Sequence, residues 1–420
     1  MRELIKRLVP KPFIELYKKM RYMCITAMFN VFRIFPLDEG LVVLCNVWGF
    51  GDNTKYVALE LLKRKKKQNI RIVFVTGNPE DENIPKGIEA VKTNTVRAVY
   101  ALSRACVWVD CNRKEAYIKK RKGQFYIQTW HGGVPLKKIE GDCEEYLGED
   151  YMKRAKWDSA MTDLYISNGG FCTDMYRRAF WYKGKVLECG TPRNDNLINV
   201  SNTRILSLRK KLNIPDNCEL AIYAPTYRSG KQKNVYLSDI EELAGKLEEK
   251  FGVKYAVAVR LHPLCAAKEK GMYSYDRNNG AMIIDGNIYG DMYELMEAAD
   301  VLVTDYSNTM FEFSMTGKKV FLYTPDFDEY EKERGMYFKP EELPFKTAGT
   351  VNELFENISR FDYTEYLARV SVFFEKLQLK ESGNASKKTA DYIVSYMKTY
   401  RGKQPGRGGK HPFFSTEMRC

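Results

Sequence analysis

A chain of 420 residues is longer than one ordinary hydrophobic core supports, so two domains of roughly 150–200 residues are expected. An apolar fraction of 44% and an aromatic fraction of 13% exclude disorder as the main state. The formal charge of +13 gathers at the ends, +6 over residues 1–36 and +4 over 401–420, with about +3 for all between. That distribution argues against nucleic acid as a partner and for attraction to an anionic surface.

Residues 1–40 read as a basic amphipathic membrane-association segment. Leu4, Ile5, Leu8, Phe13, Ile14, Leu16 and Tyr17 alternate with Lys6, Arg7, Lys11, Lys18, Lys19 and Arg21, a pattern suited to a helix or helix pair lying on anionic lipid. The apolar run Tyr22–Pro36 contains Asn30 and Arg33 and falls short of the roughly 20 residues that span a bilayer. The seven basic side chains ahead of it also fit a signal peptide poorly.

From Leu41 onward short apolar runs alternate with longer mixed stretches. Leu41–Trp48, Ile70–Thr76, Cys106–Cys111, Phe125–Thr129, Leu164–Ser167 and Val186–Cys189 read as buried strands. Helical patterns at Asn53–Lys67, Thr95–Arg104, Met152–Thr162 and Phe171–Phe180 separate them. The rhythm repeats after a charged helix at Asn202–Leu212, with strands at Leu220–Tyr223, Tyr255–Leu261, Met282–Asp285, Val301–Thr304 and Lys319–Tyr323. Strands joined by helices imply parallel sheets covered on both faces. The expected architecture is therefore α/β: two doubly wound, Rossmann-like domains, 41–200 and 201–400, facing a cleft. The second ends in a closing helix, and 401–420 reads as a basic disordered tail. The ten cysteines include no C-x-x-C pair, so reduced thiols are expected and a zinc site is not.

Ligands of such folds bind beyond the carboxyl ends of the strands. Two of the three histidines lie there, one in each half: His131 after Phe125–Thr129, and His262 after Tyr255–Leu261. A neutral imidazole suits removal of a proton from a hydroxyl, and the glycines after His131, Gly132 and Gly133, let a ligand approach the main chain. His411 lies in the tail and is read as incidental. Arg260, two residues before His262, shares its face of the strand. Asp305, Ser307, Asn308 and Thr309 follow the strand Val301–Thr304 and open a helix. Its first turn reads either as plain capping or as an anion site. Arg193 in Gly190-Thr-Pro-Arg-Asn-Asp195 and Arg228 in Ala224-Pro-Thr-Tyr-Arg are candidate diphosphate clamps, surface ion pairs being the plainer alternative. Trp48-Gly-Phe-Gly-Asp-Asn, with Gly49 and Asp52, either shapes the acceptor side of the cleft or simply turns the chain. Asp326-Phe-Asp328 is too weak a signal to assign a metal.

Taken in order, Trp130-His-Gly-Gly-x-Pro-x-Lys, Gly190-x-Pro-Arg-x-Asp, Ala224-Pro-Thr-Tyr-Arg, Arg260-x-His-Pro, Thr304-Asp-Tyr-Ser and Asp326-x-x-x-Tyr-x-x-x-Arg-Gly resemble the CDP-glycerol glycerophosphotransferase family of teichoic acid primases and polymerases. The resemblance implies a GT-B fold and CDP-glycerol as co-substrate, held mainly by the second half. It also implies a peripheral place on the cytoplasmic face of the membrane. By the same resemblance His131 is the catalytic histidine, with Trp130 and Gly132 on the acceptor side. His262 is the donor-phosphate histidine, and Ser307 opens the diphosphate-binding helix. The expected reaction moves glycerol phosphate to a hydroxyl of a lipid-linked glycan or polymer and releases CMP. The rivals are CDP-ribitol as donor, a nucleotide-sugar glycosyltransferase, and a non-catalytic membrane-docking partner. No cofactor is expected, and a divalent-metal requirement is left open.

Overall fold

The computed structural model describes residues 10–228, 236–237, 239–261, 282–288, 291–332 and 335–402. His262, His411, the first nine residues with their amphipathic pattern and the tail beyond Gly402 lie outside them.

The first half is built on strands β1 (Asp38–Asn46), β2 (Arg71–Thr76), β3 (Glu89–Lys92), β4 (Ala105–Asp110), β5 (Phe125–Gln128), β6 (Leu164–Ser167) and β7 (Lys185–Glu188). They pair in parallel in the order β3-β2-β1-β4-β5-β6-β7. The second half uses β8 (Cys218–Ala224), β9 (Lys254–Val259), β10 (Met282–Asp285), β11 (Val301–Thr304), β12 (Lys319–Tyr323) and β13 (Thr347–Ala348). These are also parallel, in the order β10-β9-β8-β11-β12-β13. Both orders reverse direction between the first and fourth strands, which creates a crevice between β1 and β4 and another between β8 and β11. The GT-B expectation is met. Two short edge strands, β3 and β13, carry no apolar run of their own, and their pairing with β2 and β12 is what makes them strands.

Helices in chain order are α1 (Lys11–Phe32), α2 (Asp52–Gln68), α3 (Val96–Arg104), α4 (Glu149–Met161), α5 (Gly170–Ala179), α6 (Asp195–Ile198) and α7 (Asn202–Lys211). They continue as α8 (Ile240–Phe251), α9 (Met292–Ala298), α10 (Thr309–Ser314), α11 (Phe327–Lys332), α12 (Val351–Ser359), α13 (Tyr363–Lys376) and α14 (Ala385–Gly402). Local chemistry sets many of their ends. Thr95 caps α3 by accepting from Ala98 N–H, and Thr350 with Glu353 forms a reciprocal capping box on α12.

Two elements cross the expected boundaries. Ile25 and Phe29 of α1 are buried against Val43, Val73 and Tyr126, so the second half of α1 belongs to the first domain's core. At the other end α14 packs Ala385, Ala390, Ile393 and Met397 on the first sheet, although it follows the second in sequence. Tyr396 and Tyr392 stack on Phe125 at 4.4 and 5.8 Å. The halves also share apolar packing directly: Trp130, Val134 and Leu136 lie in one buried cluster with Met310, Phe311 and Phe338.

The crossover into α14 is pinned by the Gly190–Asp195 loop. Asp195 accepts from the N–H groups of Ala385 and Ser386 at 2.9 and 2.7 Å, capping the helix. Glu381, just before it, accepts from Thr191 N–H and Oγ1 at 2.9 and 2.6 Å and from Asn194 Nδ2 at 3.1 Å. Burial pushes the Glu381 carboxyl up to about 7, although these three donors favour its anion. An acid whose folded pKa lies above its unfolded value near 4.5 binds more protons when folded, so stability falls as pH rises between the two. Glu381→Gln is expected to flatten that decline between about pH 5 and 7, read as the midpoint of thermal unfolding against pH.

Candidate active site

Every loop singled out by the motifs sits at a carboxyl strand end. His131 follows β5, and its loop turns on an unusual residue: Trp130 adopts a left-handed φ of 54°. For a bulky side chain that conformation costs on the order of 1–3 kcal/mol and persists only where its surroundings impose it. Here they do. Trp130 N–H donates to Gln128 Oε1 at 2.9 Å, and its carbonyl accepts from Asn53 Nδ2 at 2.9 Å. The indole packs on Phe180 at 4.7 Å, with the Arg113 guanidinium over it at 5.2 Å. Arg113 is itself immobilised in the interior by Glu140, Asp158, Ser159 and Tyr165. A Cβ on Gly133 would lie 2.7 Å from Asn168 Nδ2, so any side chain there would have to displace that amide.

The turn delivers the His131 ring onto Trp130 at 4.2 Å and its Nδ1 to within 3.0 Å of the Cys111 carbonyl. A carbonyl only accepts, so Nδ1 carries the proton and Nε2 the lone pair. The residue is exposed, and Nε2 has no hydrogen-bond partner among the described residues. The ring is open on one side and closely surrounded by protein on the others. This lost solvation lowers its pKa below 6.5, with Arg193 acting in the same direction. Asp52, the Cys111 carbonyl and Glu140 oppose that shift.

Beside the histidine the two halves grip one another. Arg193 is buried between Asp52 of the first half, at 3.1 Å, and Glu312 of the second, at 2.6 Å. Its face lies 4.8 Å from the Tyr293 ring, and the Tyr293 hydroxyl donates to Glu312. Lys55 adds an ion pair to Asp291 at 2.5 Å. Asn53 sits at the centre, fully buried: its Oδ1 accepts Arg193 N–H at 3.1 Å while its Nδ2 holds the carbonyls of Thr129 and Trp130. Sequence reading passed over Asn53 and Glu312. The only available signal was their adjacency to motif residues, Asp52 and the Ser307–Thr309 turn.

Arg193 and Arg228 differ from their expected roles as phosphate clamps. Arg193 is held by two carboxylates, which makes it a link between the halves. All five N–H groups of Arg228 already have protein acceptors: Asp326 twice, Asp305 once, and the Thr226 carbonyl and hydroxyl. With none left to donate, Arg228 organises the loops after β8 and β11. Asp305 serves that same loop junction, accepting from Thr226 and Tyr306 N–H. Asp326 is occupied by Arg228 and Tyr306, and no metal-holding group occurs among the described residues. Arg260, after β9, is half-buried and donates to the Gly286 carbonyl at 2.6 Å.

The N–H groups of Ser307 and Asn308 have no acceptor among the described residues, and Thr309 Oγ1 donates to Ser307 Oγ at 2.8 Å. Asn308 reaches across the seam, its Oδ1 accepting Leu136 N–H at 3.0 Å. A Cβ on Gly132 would lie 3.5 Å from Asn308 Nδ2, so the histidine loop and these open amides are immediate neighbours. Gly49 lies in the loop between β1 and α2, and Asp52, the first residue of α2, reaches the site through Arg193. Asp52 adopts φ 59° at the start of α2.

The model of the family described as CDP-Glycerol:Poly(glycerophosphate) glycerophosphotransferase matches residues 27–395. The chain belongs to that family. It is 30% identical over 360 residues to the teichoic acid poly(glycerol phosphate) polymerase of Staphylococcus epidermidis, covering 82% of this chain and 48% of that protein. It is 32% identical over 328 residues to the corresponding polymerase of Bacillus subtilis strain 168, covering 75% and 43%. The chain thus spans about half the length of these two relatives. The solved wall teichoic acid polymerase TagF superposes with a TM-score of 0.78 at 26% identity, over 92% of this chain and 97% of that one.

The Asn53 contacts predict a specific defect. Asn53→Ala leaves two buried carbonyls and one N–H without their partner, at about 1–3 kcal/mol of stability each at most. It also frees the strained Trp130 turn. Turnover is expected to fall by up to about 10²-fold with little change in donor KM, measured as initial rates beside a thermal unfolding midpoint.

Proposed function

We propose that the chain transfers glycerol phosphate from CDP-glycerol to a hydroxyl of a membrane-linked envelope glycan or polyol-phosphate polymer, releasing CMP, with His131 as general base. The observation that carries this reading is the His131 tautomer. Its Nδ1–H is committed to the Cys111 carbonyl, leaving the Nε2 lone pair available on a loop whose Gly132 lies against Asn308.

In this reading the acceptor hydroxyl binds beside Trp130 and Gly132. Its oxygen attacks the glycerol-side phosphorus of the donor as Nε2 takes its proton. The phosphorus–oxygen bond to CMP breaks, and CMP leaves with the electron pair. CMP is an anion of low basicity, so no strong acid is needed on its side. What the transition state requires is positive potential, for which the amides at Ser307 and Asn308, Arg260 and, from the sequence, His262 are the candidates. Membership of the family and its model over residues 27–395 support CDP-glycerol as the donor.

The acceptor's place on a membrane is supported by α1. Phe13, Leu16, Tyr17, Met20 and Met23 are exposed alongside Lys18, Lys19 and Arg21. No helix among the described residues is long and apolar enough to cross a bilayer. Attachment to the cytoplasmic face is accordingly proposed as peripheral.

With CDP-glycerol and a lipid-linked glycan acceptor, CMP release and product mass test the assignment, and silence with every acceptor would overturn it. His131→Ala is expected to lower kcat about 10²–10⁴-fold while donor binding, measured by calorimetry, survives. Because lost solvation lowers the His131 pKa, the base form persists below pH 6.5. The acid limb of kcat/KM is therefore expected at a midpoint under about 6.5 and to vanish in that variant.

A further inference from the structure

The loop after β1 carries the most exposed large apolar side chain among the described residues. Trp48 is 85% exposed and Val47 before it 48%. The turn that presents them is held from both sides by the buried Asn46, whose Oδ1 accepts Trp48 N–H and whose Nδ2 donates to the Gly51 carbonyl, each at 3.1 Å. An indole held out in water by a braced turn, on a chain whose four other tryptophans are all less exposed, marks the turn as a contact surface.

The position of α1 says which occupant. Its carboxyl end lies at the amino edge of the first sheet, where Arg121 donates to the Phe35 carbonyl and Arg104 to that of Pro36. Its middle lies at the opposite edge. Arg21 donates to the carbonyl of Asn94, just past β3, and Tyr22 packs on Tyr117, whose hydroxyl donates to Asn94. The helix therefore runs antiparallel to β1, and residues 10–20 overhang the carboxyl edge by about 15 Å. Trp48, the His131 loop and this basic, apolar overhang all project from that one edge. A tryptophan is suited to the headgroup boundary, and the lysines and arginines of α1 complement an anionic surface.

We propose that the Val47–Trp48 turn is a second membrane contact, which with the α1 overhang sets the mouth of the cleft against an anionic bilayer. The inference rests on the proposed membrane-linked acceptor. One helix alone leaves the protein free to swing about its axis. Two contacts on one edge fix which face looks at the lipid.

The test uses the full chain and vesicles of phosphatidylcholine with about 30% phosphatidylglycerol, against phosphatidylcholine alone. Trp48→Ser is expected to lower partitioning onto the anionic vesicles about tenfold or more, with an unchanged unfolding midpoint. Brominated lipid is expected to quench the emission that Trp48→Phe removes. Wild-type partitioning by Trp48→Ser, together with no such quenching, overturns the proposal. So does lost turnover on a short soluble acceptor with vesicle binding intact, which assigns the indole to the acceptor glycan. If the wild-type chain ignores anionic vesicles, the membrane contact falls, while CMP release with the soluble acceptor decides separately whether the transferase reading stands.

Discussion

Arg193 is the point through which the two halves hold each other. Its guanidinium lies between Asp52 and Glu312, one carboxylate from each side, and its backbone N–H rests on Asn53. A buried ion triad of this kind contributes little net stability, because desolvation offsets much of the Coulomb attraction. What it supplies is register. Asn53 also holds the carbonyl of Trp130, so the register of the halves and the strained turn bearing His131 are set by one hydrogen-bonded unit. Moving the second half away would disturb Glu312, then Arg193, then the backbone that aims the imidazole.

The site divides its cations by role. Arg113, Arg193 and Arg228 are turned inward and neutralised by carboxylates, where they brace loops. The candidates for the proposed anionic donor are weaker singly: the N–H pair at Ser307 and Asn308, and the half-buried Arg260, which also donates to the Gly286 carbonyl. Fixed dipoles of this sort need no reorganisation when charge develops, which is how a site without strong acids can stabilise phosphoryl transfer. The lost solvation that lowers the His131 pKa favours the neutral ring, the form the proposed base role requires.

Geometry at the carboxyl edge of the first sheet ties chemistry to location. The His131 loop, the Trp48 turn and the overhang of α1 leave the same edge because parallel strands send every βα loop to one side. The proposed reaction cleft and the proposed lipid-facing surface therefore share an orientation.

The amino-acid sequence by itself determined the buried strands, the two-half architecture and the place of His131 just after a strand. Buried parallel strands are continuous apolar runs, and a ligand site in such a fold must follow them. His131 and the Ser307–Thr309 turn were legible for that reason. Composition could not reveal what depends on contacts between residues far apart in the chain. The edge strands β3 and β13 exist only through pairing, and α14 crossed to the first sheet because its apolar face fits there. Arg193 and Arg228 read as phosphate clamps, since a short motif shows an arginine after a strand but not the carboxylates that meet it. Tertiary structure decided their fate: Glu312 and Asp52 hold Arg193 between the halves, while Asp305, Asp326 and Thr226 take every N–H of Arg228 and leave it none for a ligand.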